Sequence, residues 1–241
     1  MLPTRGVVLA AFRCGRTGTS TTLAKPMLEV AVLSTETGDA YQARLRLGTP
    51  MDRIALVASW GPTLERGPVH WQDREWPWRT FGATDLHLDV KPQWLVLADE
   101  VEPTARGELF GVLVTTGPST ANQAGISDLL EMDSELIWVE YIAIAPSLRP
   151  DCPAPYRRKP RVKGIGPRLM RAAIARSEAL GLSGRIGLHA EGDGARETYK
   201  TKWGMRDLGE AVHRAGGAYP VCFGDAAWAA QFCSELGAGR R

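Results

Sequence analysis

The chain has 241 residues, of which 44% are hydrophobic and 23% charged, as is usual for a globular protein. Its formal net charge of +2 is too small to indicate nucleic acid as a partner. The 4 cysteines and 4 histidines show no metal-ligand spacing, so the sequence predicts no metal site and favours a reduced, cytoplasmic compartment. A chain of this length can bury one large core and carry a smaller appendage, and we expect this organisation.

Residues 1–26 are rich in glycine and threonine, and their only charged side chains are the cations of Arg5, Arg13, Arg16 and Lys25. We expect this segment to be a disordered tail. Its apolar run at 7–12 is too short to span a membrane and precedes no persuasive signal-peptide cleavage site. A strand pattern begins at Met27, which is compatible with Met27 being the natural start.

Residues 27–90 give the weakest pattern and are predicted to be an N-terminal extension that precedes the main domain at 91–241. Apolar and β-branched runs in this extension predict strands at 28–34, 41–47 and 53–59. Tryptophans and charged residues then form an aromatic cluster at 71–78. This cluster is interpreted either as the wall of a substrate pocket, or as core packing or the surface of a homodimer.

Two further strands are predicted at 93–99 and 108–116, and a third at 136–145, where an apolar run continues up to Pro146. Such a run is typical of a strand that is buried on both faces. Glu140 is the only charged residue inside it. An ionised carboxylate in this position costs several kcal/mol by desolvation unless it has a partner or faces a cleft, so Glu140 requires a structural or functional reason.

A basic turn with Arg161, Lys163, Gly164 and Gly166 follows, and it leads into a helical pattern that ends before Gly181. The N-terminus of a helix offers N–H groups without intrahelical partners, and glycine allows a phosphate group to approach them closely. The two cations add positive charge. The turn is therefore predicted to bind the pyrophosphate of a cofactor.

The pattern continues with a short strand at 185–190 and a short helix at 194–205. The series of strand, helix, strand and helix implies a parallel strand pair joined by a right-handed crossover, with ligands at the carboxyl ends of the strands. Cys222 is predicted to be a small buried hydrophobic residue rather than a nucleophile. At the C-terminus, 225–236 predicts an amphipathic helix that packs Trp228 and Phe232.

Two of these segments resemble motifs of the GCN5-related N-acetyltransferase (GNAT) superfamily, whose members transfer acetyl groups from acetyl-CoA. The turn at 161–166 matches the motif (Gln/Arg)-x-x-Gly-x-(Gly/Ala), and 195–205 matches Ala-x-x-x-Tyr-x-x-x-x-Gly-(Phe/Met). The turn motif alone is weakly specific, whereas the ordered set of strand, turn, helix, strand and Tyr-bearing helix is much more specific. The resemblance covers roughly residues 94–210.

The resemblance implies an α/β (α+β) fold with a mixed, mostly antiparallel sheet, a splayed parallel pair of strands and flanking helices. It also implies that 91–241 is the acetyl-CoA-binding catalytic core and that 27–90 contributes elements on the acceptor side. The proline-rich segment 147–160 is an insertion relative to the family pattern, interpreted as a cap over the CoA phosphates, as part of the acceptor site or as a solvated excursion. Gly192 stands where many members have an Asn that contacts the pantetheine arm.

Site residues are likewise implied by the matching positions. The buried strand at Ile142, Ala143 and Ile144 is implied to hold the pantetheine arm and to polarise the thioester carbonyl through backbone N–H groups. Tyr199 occupies the position of the Tyr that protonates the leaving thiolate, or else contributes only core packing. Glu140 is the candidate base for the amine, or else a structural carboxylate. The residues implied to bind the CoA pyrophosphate are Arg161, Val162, Lys163, Gly164, Ile165 and Gly166.

The sequence therefore predicts an acetyl-CoA-dependent N-acetyltransferase that acts by direct transfer on a primary amine of a small molecule or a peptide. Two alternatives stay open: a CoA-binding regulatory module without catalysis, and a toxin-like modifier of aminoacyl-tRNA or protein lysine. The presence of both Tyr199 and Glu140 favours the enzyme over the first alternative. The absence of a dominant basic run in the core argues against the second.

Overall fold

The computed structural model describes residues 28–34, 40–68, 73, 76, 93–98, 109–120, 126, 135–149, 151–156, 162–212 and 218–239. The predicted tail at 1–26 lies outside the described residues. The described strands are β1 (Leu28–Ser34), β2 (Ala40–Leu47), β3 (Gln93–Ala98), β4 (Leu109–Ser119), β5 (Leu136–Ile144), β6 (Val162–Lys163), β7 (Ile186–His189), β8 (Arg206–Val212) and β9 (Ala218–Gly224). They form one sheet in the order β6-β1-β2-β3-β4-β5-β7-β9-β8.

Helices flank this sheet. They are α1 (Pro50–Arg66), α2 (Ile165–Ala179), α3 (Asp193–Glu197) and α4 (Ala226–Gly237), with a 3₁₀ turn at Pro146–Leu148 and a π-helical turn at Thr198–Lys202. Among the described strands, neighbours are antiparallel except for β5 and β7, which are parallel and are connected through α2. The mixed, mostly antiparallel sheet with one parallel pair confirms the predicted fold class.

Two of the three apolar cores among the described residues hold helices on opposite faces of the sheet. The first packs α2 and α4 against one face, with Leu169 and Phe232 fully buried. The second packs α1 against the other face through Leu56, Trp60 and Leu64. Strands β4 and β5 contribute to both cores, because successive side chains of a strand point to opposite faces. Full burial of one such large apolar side chain stabilises the fold by about 1.5–3 kcal/mol, so each core fixes its helices on the sheet.

The predicted strand at 53–59 is wrong, because these residues lie inside α1. Thr49 begins the helix with a capping box: the Asp52 N–H donates to Thr49 Oγ1 at 3.2 Å, and the Thr49 N–H donates to Asp52 Oδ2 at 2.8 Å. Pro50 follows at the first helical position, where its missing N–H costs nothing. A short apolar run by itself does not distinguish a strand from a helix, whereas the capping box before the run indicates a helix.

The remaining predicted strands and helices are present within a few residues of their expected bounds. Sequence reasoning missed β8 and β9, which pair with each other at the far edge of the sheet. Strand β8 contains Asp207 and Gly209, residue types that are depleted in strands, and its register shifts between them. Pairing with β9 overrides this weak local preference.

No described helix is long and apolar enough to cross a membrane. The described residues include no group of three or more His, Cys, Asp or Glu side chains placed to bind a metal ion. Cys222 is fully buried on β9, as predicted, and burial raises the pKa of its thiol to about 11. This thiol is protonated at neutral pH and is therefore a poor nucleophile.

Candidate active site

The pairing between the parallel strands β5 and β7 ends before β5 does. They pair only from Ile137↔Ile186 to Val139↔Leu188. At this point the register between β4 and β5 also shifts, so that Glu140 has no opposite residue on β4. Such an extra residue is a β-bulge, which bends its strand and increases its twist. Beyond Glu140, β5 pairs with β4 alone, and its other edge pairs with no described strand; we call this unpaired edge beside β7 the opening.

Backbone N–H groups of β5 point into this opening. The Ala145 N–H donates to the Phe110 carbonyl on β4 at 2.9 Å. Because bonding residues alternate along an antiparallel pair, Ala143 also faces β4, whereas Ile142 and Ile144 direct their N–H groups the other way. Of the three strand residues predicted to hold a pantetheine arm, Ile142 and Ile144 therefore have the required orientation.

The predicted phosphate-binding turn leads into α2 beside this opening. Gly164 is the N-cap and has a φ of 76°, a left-handed conformation that favours glycine, and open space lies where its side chain would be. The first helical hydrogen bond runs from the Arg168 N–H to the Gly164 carbonyl at 3.2 Å. The N–H groups of Ile165 and Gly166 precede it and have no intrahelical acceptor. A Cβ on Gly166 would lie 3.8 Å from Ile144 Cδ1, which places the helix start next to β5.

Positive charge accompanies the start of α2. Lys163 is exposed on β6, which pairs with β1, while Arg161 and the side chain of Val162 lie outside the described residues. Burial, and secondarily the neighbouring Arg171, lower the pKa of Arg168 in the first turns of the helix. An anion bound at this end of α2 would offset both effects, and it would also interact favourably with the helix dipole.

Tyr199 lies on the α2 side of the sheet, within the π-helical turn. Its ring is buried in the first core, 5.0 Å from the ring of Trp203, which in turn lies 3.3 Å from the Cβ position of Gly166. Burial, with smaller effects of Cys222 and Glu191, raises the pKa of the Tyr199 hydroxyl. The hydroxyl therefore keeps its proton at neutral pH and can only act as a proton donor there.

Glu140 is half-buried and oriented by a neighbouring strand. The Thr116 hydroxyl donates to Glu140 Oε1 at 2.7 Å. The next residue, Tyr141, packs against the second core, on the side of the sheet opposite α2. Burial, followed by the charges of Glu140 and Glu191, raises the pKa of Tyr141 to about 12. The Thr116 hydroxyl is thus a hydrogen-bond partner for the Glu140 carboxylate, and such a partner lowers the cost of placing a carboxylate in an apolar strand.

Sequence reasoning missed Tyr141 and Glu191, which share this side with Glu140 and with Trp76. The Trp76 and Tyr141 ring centroids are 4.7 Å apart, and Trp76 Nε1 donates to Glu191 Oε2 at 2.7 Å. Glu191 follows the end of β7, a position where ligand-binding residues of parallel strands often lie, and this signal was available in the sequence. Trp76 belongs to the predicted aromatic cluster, whose other tryptophans lie outside the described residues.

The segment after β5 connects Trp76 to the sheet. Arg149 donates to the Ile144 carbonyl from Nε at 3.1 Å and from Nη2 at 2.9 Å, and it forms a bidentate ion pair with buried Asp73. Cys152 is buried in the second core, and Arg66 of α1 lies 5.3 Å from the Tyr156 ring centroid. Asp151, Ala154 and Pro155 of the same segment are exposed, and 150 and 157–160 lie outside the described part, so the three interpretations of 147–160 stay predictions.

Comparisons with known proteins yield structural similarity only. No protein-family model matches the chain, and no curated protein is similar enough in sequence to match it. Mycobacterium smegmatis RimJ in complex with CoA-disulfide is similar with a TM-score of 0.46 and 13% identity, over 88% of this chain and 94% of its own. The crystal structure of an uncharacterized protein (bh2621) from Bacillus halodurans is similar with a TM-score of 0.56 and 11% identity, over 88% of this chain and 98% of its own. This second similarity shows a shared fold, and the sheet of the chain has the mixed, mostly antiparallel arrangement with one parallel pair that the sequence predicted.

Proposed function

We propose that the chain is an acetyl-CoA-dependent N-acetyltransferase that transfers the acetyl group directly to a primary amine. One observation carries the proposal: the opening between β5 and β7 contains outward N–H groups of β5 and lies next to the glycine-capped start of α2. This combination offers hydrogen-bond donors for an extended polar chain and, beside them, a site for a pyrophosphate. Acetyl-CoA carries both groups.

The residues that would hold acetyl-CoA have separate roles. The N–H groups of Ile165 and Gly166 bind the pyrophosphate, with Arg161 and Lys163 adding positive charge. Along β5, the N–H groups of Ile142 and Ile144 bind the pantetheine arm and polarise the thioester carbonyl. The cosubstrate supplies an acetyl group that is activated as a thioester. Gly192, with a φ of 83°, supplies no side-chain contact to replace the Asn of the family pattern.

Two side chains transfer protons during the reaction: Glu140 accepts one and Tyr199 donates one. A primary amine is mostly protonated at neutral pH and becomes a nucleophile only after losing a proton. We assign this proton to Glu140, directly or through water, because its carboxylate is half-buried and oriented at the mouth of the opening. The amine nitrogen then forms a bond to the acetyl carbon as the carbon–sulfur bond breaks. The ammonium loses two protons in total: Glu140 passes one to solvent, and Tyr199, after giving its own proton to the thiolate sulfur, recovers the other through solvent, so that each transfer forms one amide and one CoA thiol and releases one proton net.

A turnover assay tests the proposed function. The purified chain is mixed with acetyl-CoA and a panel of amines, and the released CoA thiol is measured together with the acetylated product by mass spectrometry. We expect the release of CoA thiol to require an amine, and the amount of thiol released to equal the amount of acetylated amine formed. Binding of acetyl-CoA without any transfer, across chemically diverse amines, would instead identify a CoA-binding module without catalysis.

A further inference from the structure

Arg176 of α2 holds the segment of β4 that lies next to Glu140. Its Nη1 donates to the Thr115 carbonyl at 2.9 Å and also to the Thr115 hydroxyl, and its Nη2 donates to the Gly117 carbonyl at 3.3 Å. Between these two residues lies Thr116, whose hydroxyl donates to Glu140 Oε1 at 2.7 Å. One guanidinium thus holds β4 on both sides of the residue that binds the candidate base.

This part of β4 departs from regular strand geometry. The register between β4 and β5 shifts just before Thr115 and again just after Thr116. Gly117 has a φ of 121°, a conformation that favours glycine. Such irregularities interrupt the ladder of backbone hydrogen bonds that fixes the peptide groups of a strand. Arg176 supplies hydrogen-bond donors to the carbonyls at this irregular place.

The bond to the Thr115 carbonyl acts directly on Thr116. The Thr115 carbonyl and the Thr116 N–H belong to one planar peptide group, so a donor that fixes the carbonyl also fixes the direction in which Thr116 leaves that group. This direction determines whether the Thr116 hydroxyl reaches Glu140 Oε1. Without the guanidinium, the peptide group is freer to rotate, and the hydroxyl is held less firmly against Glu140.

The position of this guanidinium is costly for a charged group. Burial lowers the pKa of Arg176, because the charged form is partly removed from water. Its described acceptors are carbonyl and hydroxyl oxygens, which compensate a buried cation less well than a carboxylate does. The planar fork of an Arg serves the Thr115 and Gly117 carbonyls at the same time, whereas a Lys has a single nitrogen. An Arg therefore fits the task of fixing two peptide groups.

The same helix also carries the candidate cofactor turn. It begins at that turn and lies along β4, where a Cβ on Gly111 would be 2.9 Å from Ile165 Cγ2 and from Leu169 Cδ1. Near its other end, Arg176 reaches Thr115. One helix therefore connects the start of α2, where the cofactor is proposed to bind, to the part of β4 that orients the candidate base.

We infer that Arg176 is a positioning residue of the acetyl transfer: through the β4 segment 115–117 it holds Glu140 in the orientation that accepts the proton of the amine. This inference rests on the proposed function and adds a residue that acts through β4. Arg176 takes no proton itself, because a guanidinium stays charged at neutral pH. It restricts the orientations of the carboxylate, and this effect belongs to the rate and not to the binding of acetyl-CoA.

Substitution of Arg176 in two backgrounds tests the inference. Wild type, Arg176→Met, Glu140→Gln and the double variant are assayed with acetyl-CoA and the amine of the panel that reacts fastest with wild type. We expect Arg176→Met to lower kcat/KM by about tenfold in wild type but by less than about twofold in the Glu140→Gln background, where no carboxylate remains to be oriented. In calorimetry, Arg176→Met should bind acetyl-CoA within about twofold of wild type.

Two further variants separate positioning from effects of charge and folding. Arg176→Lys keeps the cation but cannot hold both carbonyls, so it should still lower kcat/KM by at least about threefold in wild type and not in the Glu140→Gln background. This variant decides the question if Arg176→Met does not fold. Arg185→Met removes a guanidinium that donates to the nearby Leu182 carbonyl at 3.1 Å, and it should keep kcat/KM within about twofold in both backgrounds.

The outcomes distinguish failure of the inference from failure of the proposed function. If no amine of the panel reacts with wild type, the proposed function is wrong, and the inference is wrong with it. If wild type reacts and the Arg176 variants lower kcat/KM by the same factor in both backgrounds, Arg176 is only structural: the inference is wrong and the proposed function stands. Full kcat/KM in a folded Arg176→Met variant would also contradict the inference alone.

Discussion

Glu140 is the bulge residue of β5: in the strand register, no β4 residue lies directly opposite it. If its carboxylate removes the proton from the amine, Glu140→Gln should lower kcat/KM by about 10²–10⁴-fold near neutral pH. The loss should become smaller at high pH, where more of the amine is free without the help of a base. The measurement is the pH profile of kcat/KM for the variant beside wild type.

The matching control for this prediction is Thr116→Val, which removes the hydroxyl that donates to Glu140 but keeps the carboxylate. It should shift the pH profile while preserving most of the rate. A structural carboxylate gives another pattern: Glu140→Gln would then lower the melting temperature and leave the shape of the pH profile intact. Measuring both properties on the same variants distinguishes a base from a structural residue.

A substitution of Tyr199 tests the second proposed proton transfer, the protonation of the leaving thiolate. Tyr199→Phe removes the proton donor and retains the ring against Trp203, so kcat should decrease by about 10²-fold or more while acetyl-CoA affinity changes little. Because the pKa of Tyr199 is raised above its ordinary 10.0, wild-type kcat should not decline through loss of this proton below pH 10. Tyr156→Phe, a matched change on the α1 side, should retain full kcat. Full kcat in Tyr199→Phe would contradict the acid role and would mean that Tyr199 contributes only core packing.

The sequence predicted the burial of Cys222, but it could not predict the hydrogen-bond partner of Glu140. Cys222 could be predicted because free cysteine is among the residue types that are most often buried, and it is buried. Glu140 could be singled out from its cost in an apolar run, but the Thr116 partner could not, since it depends on the register between β4 and β5. Register is set by long-range pairing and leaves no local signal.

At the scale of elements, the capping box of α1 gives a prediction about stability. Arg46 donates to both Asp52 oxygens, at 2.5 and 2.7 Å, and Asp52 also accepts from Thr49. Asp52→Asn should destabilise the protein by about 1 kcal/mol at neutral pH, which lowers Tm by about 2–4 °C in a chain of this size. Thermal unfolding of the variant beside wild type measures the difference.

The pH dependence of that difference has a definite sign. Burial raises the pKa of Asp52, but the hydrogen bonds from Arg46 and Thr49 outweigh it, and the net pKa lies below the ordinary 3.8. A carboxyl group with a lowered folded-state pKa stabilises the fold above its unfolded pKa, and this contribution is lost as the pH falls through the folded value. The Tm difference should therefore be present at pH 7 and shrink below about pH 4. A difference that grows towards acid would contradict the role of the ionised carboxylate.

Elements with strong local signals were predictable, and those that depend on distant partners were not. The signals of β5, the glycine turn and α2 are local, because the apolar run, the glycine N-cap and the amphipathic face can each be read within one short stretch of sequence. The capping residues of α1 were also in the sequence, yet the apolar run at 53–59 suggested a strand instead. Strands β8 and β9 acquire their structure through pairing with each other and with β7.

At the scale of the whole molecule, one sheet brings two chemically different surfaces to the same opening. The glycine-capped start of α2 forms one of them, and the other, on the opposite face, consists of Trp76, Tyr141 and Glu191. The turn was predictable from a short motif. The second surface was not, because Trp76 and Glu191 are separated by 115 positions in the chain and meet only in the folded protein.

Binding of acetyl-CoA tests the central claim most directly, and two glycines at opposite ends of α2 provide a matched pair. Gly164 at the start has a φ of 76° and Gly181 beyond the end has a φ of 77°, and open space surrounds the Cβ position of both. Glutamate at either position introduces the same charge and a similar backbone strain, about 1–2 kcal/mol, so both variants should lose similar stability. Only Gly164→Glu places its carboxylate where the pyrophosphate is expected.

The deciding measurement is isothermal titration calorimetry with acetyl-CoA on wild type, Gly164→Glu and Gly181→Glu, each shown to be folded by circular dichroism. We predict that wild type and Gly181→Glu bind with affinities within about threefold of each other, and that Gly164→Glu loses at least about tenfold, since the new charge repels the phosphates at the helix start. Wild type that binds no better than a buffer control, or two variants that lose affinity equally, would contradict the assignment of this opening and turn as the acetyl-CoA site.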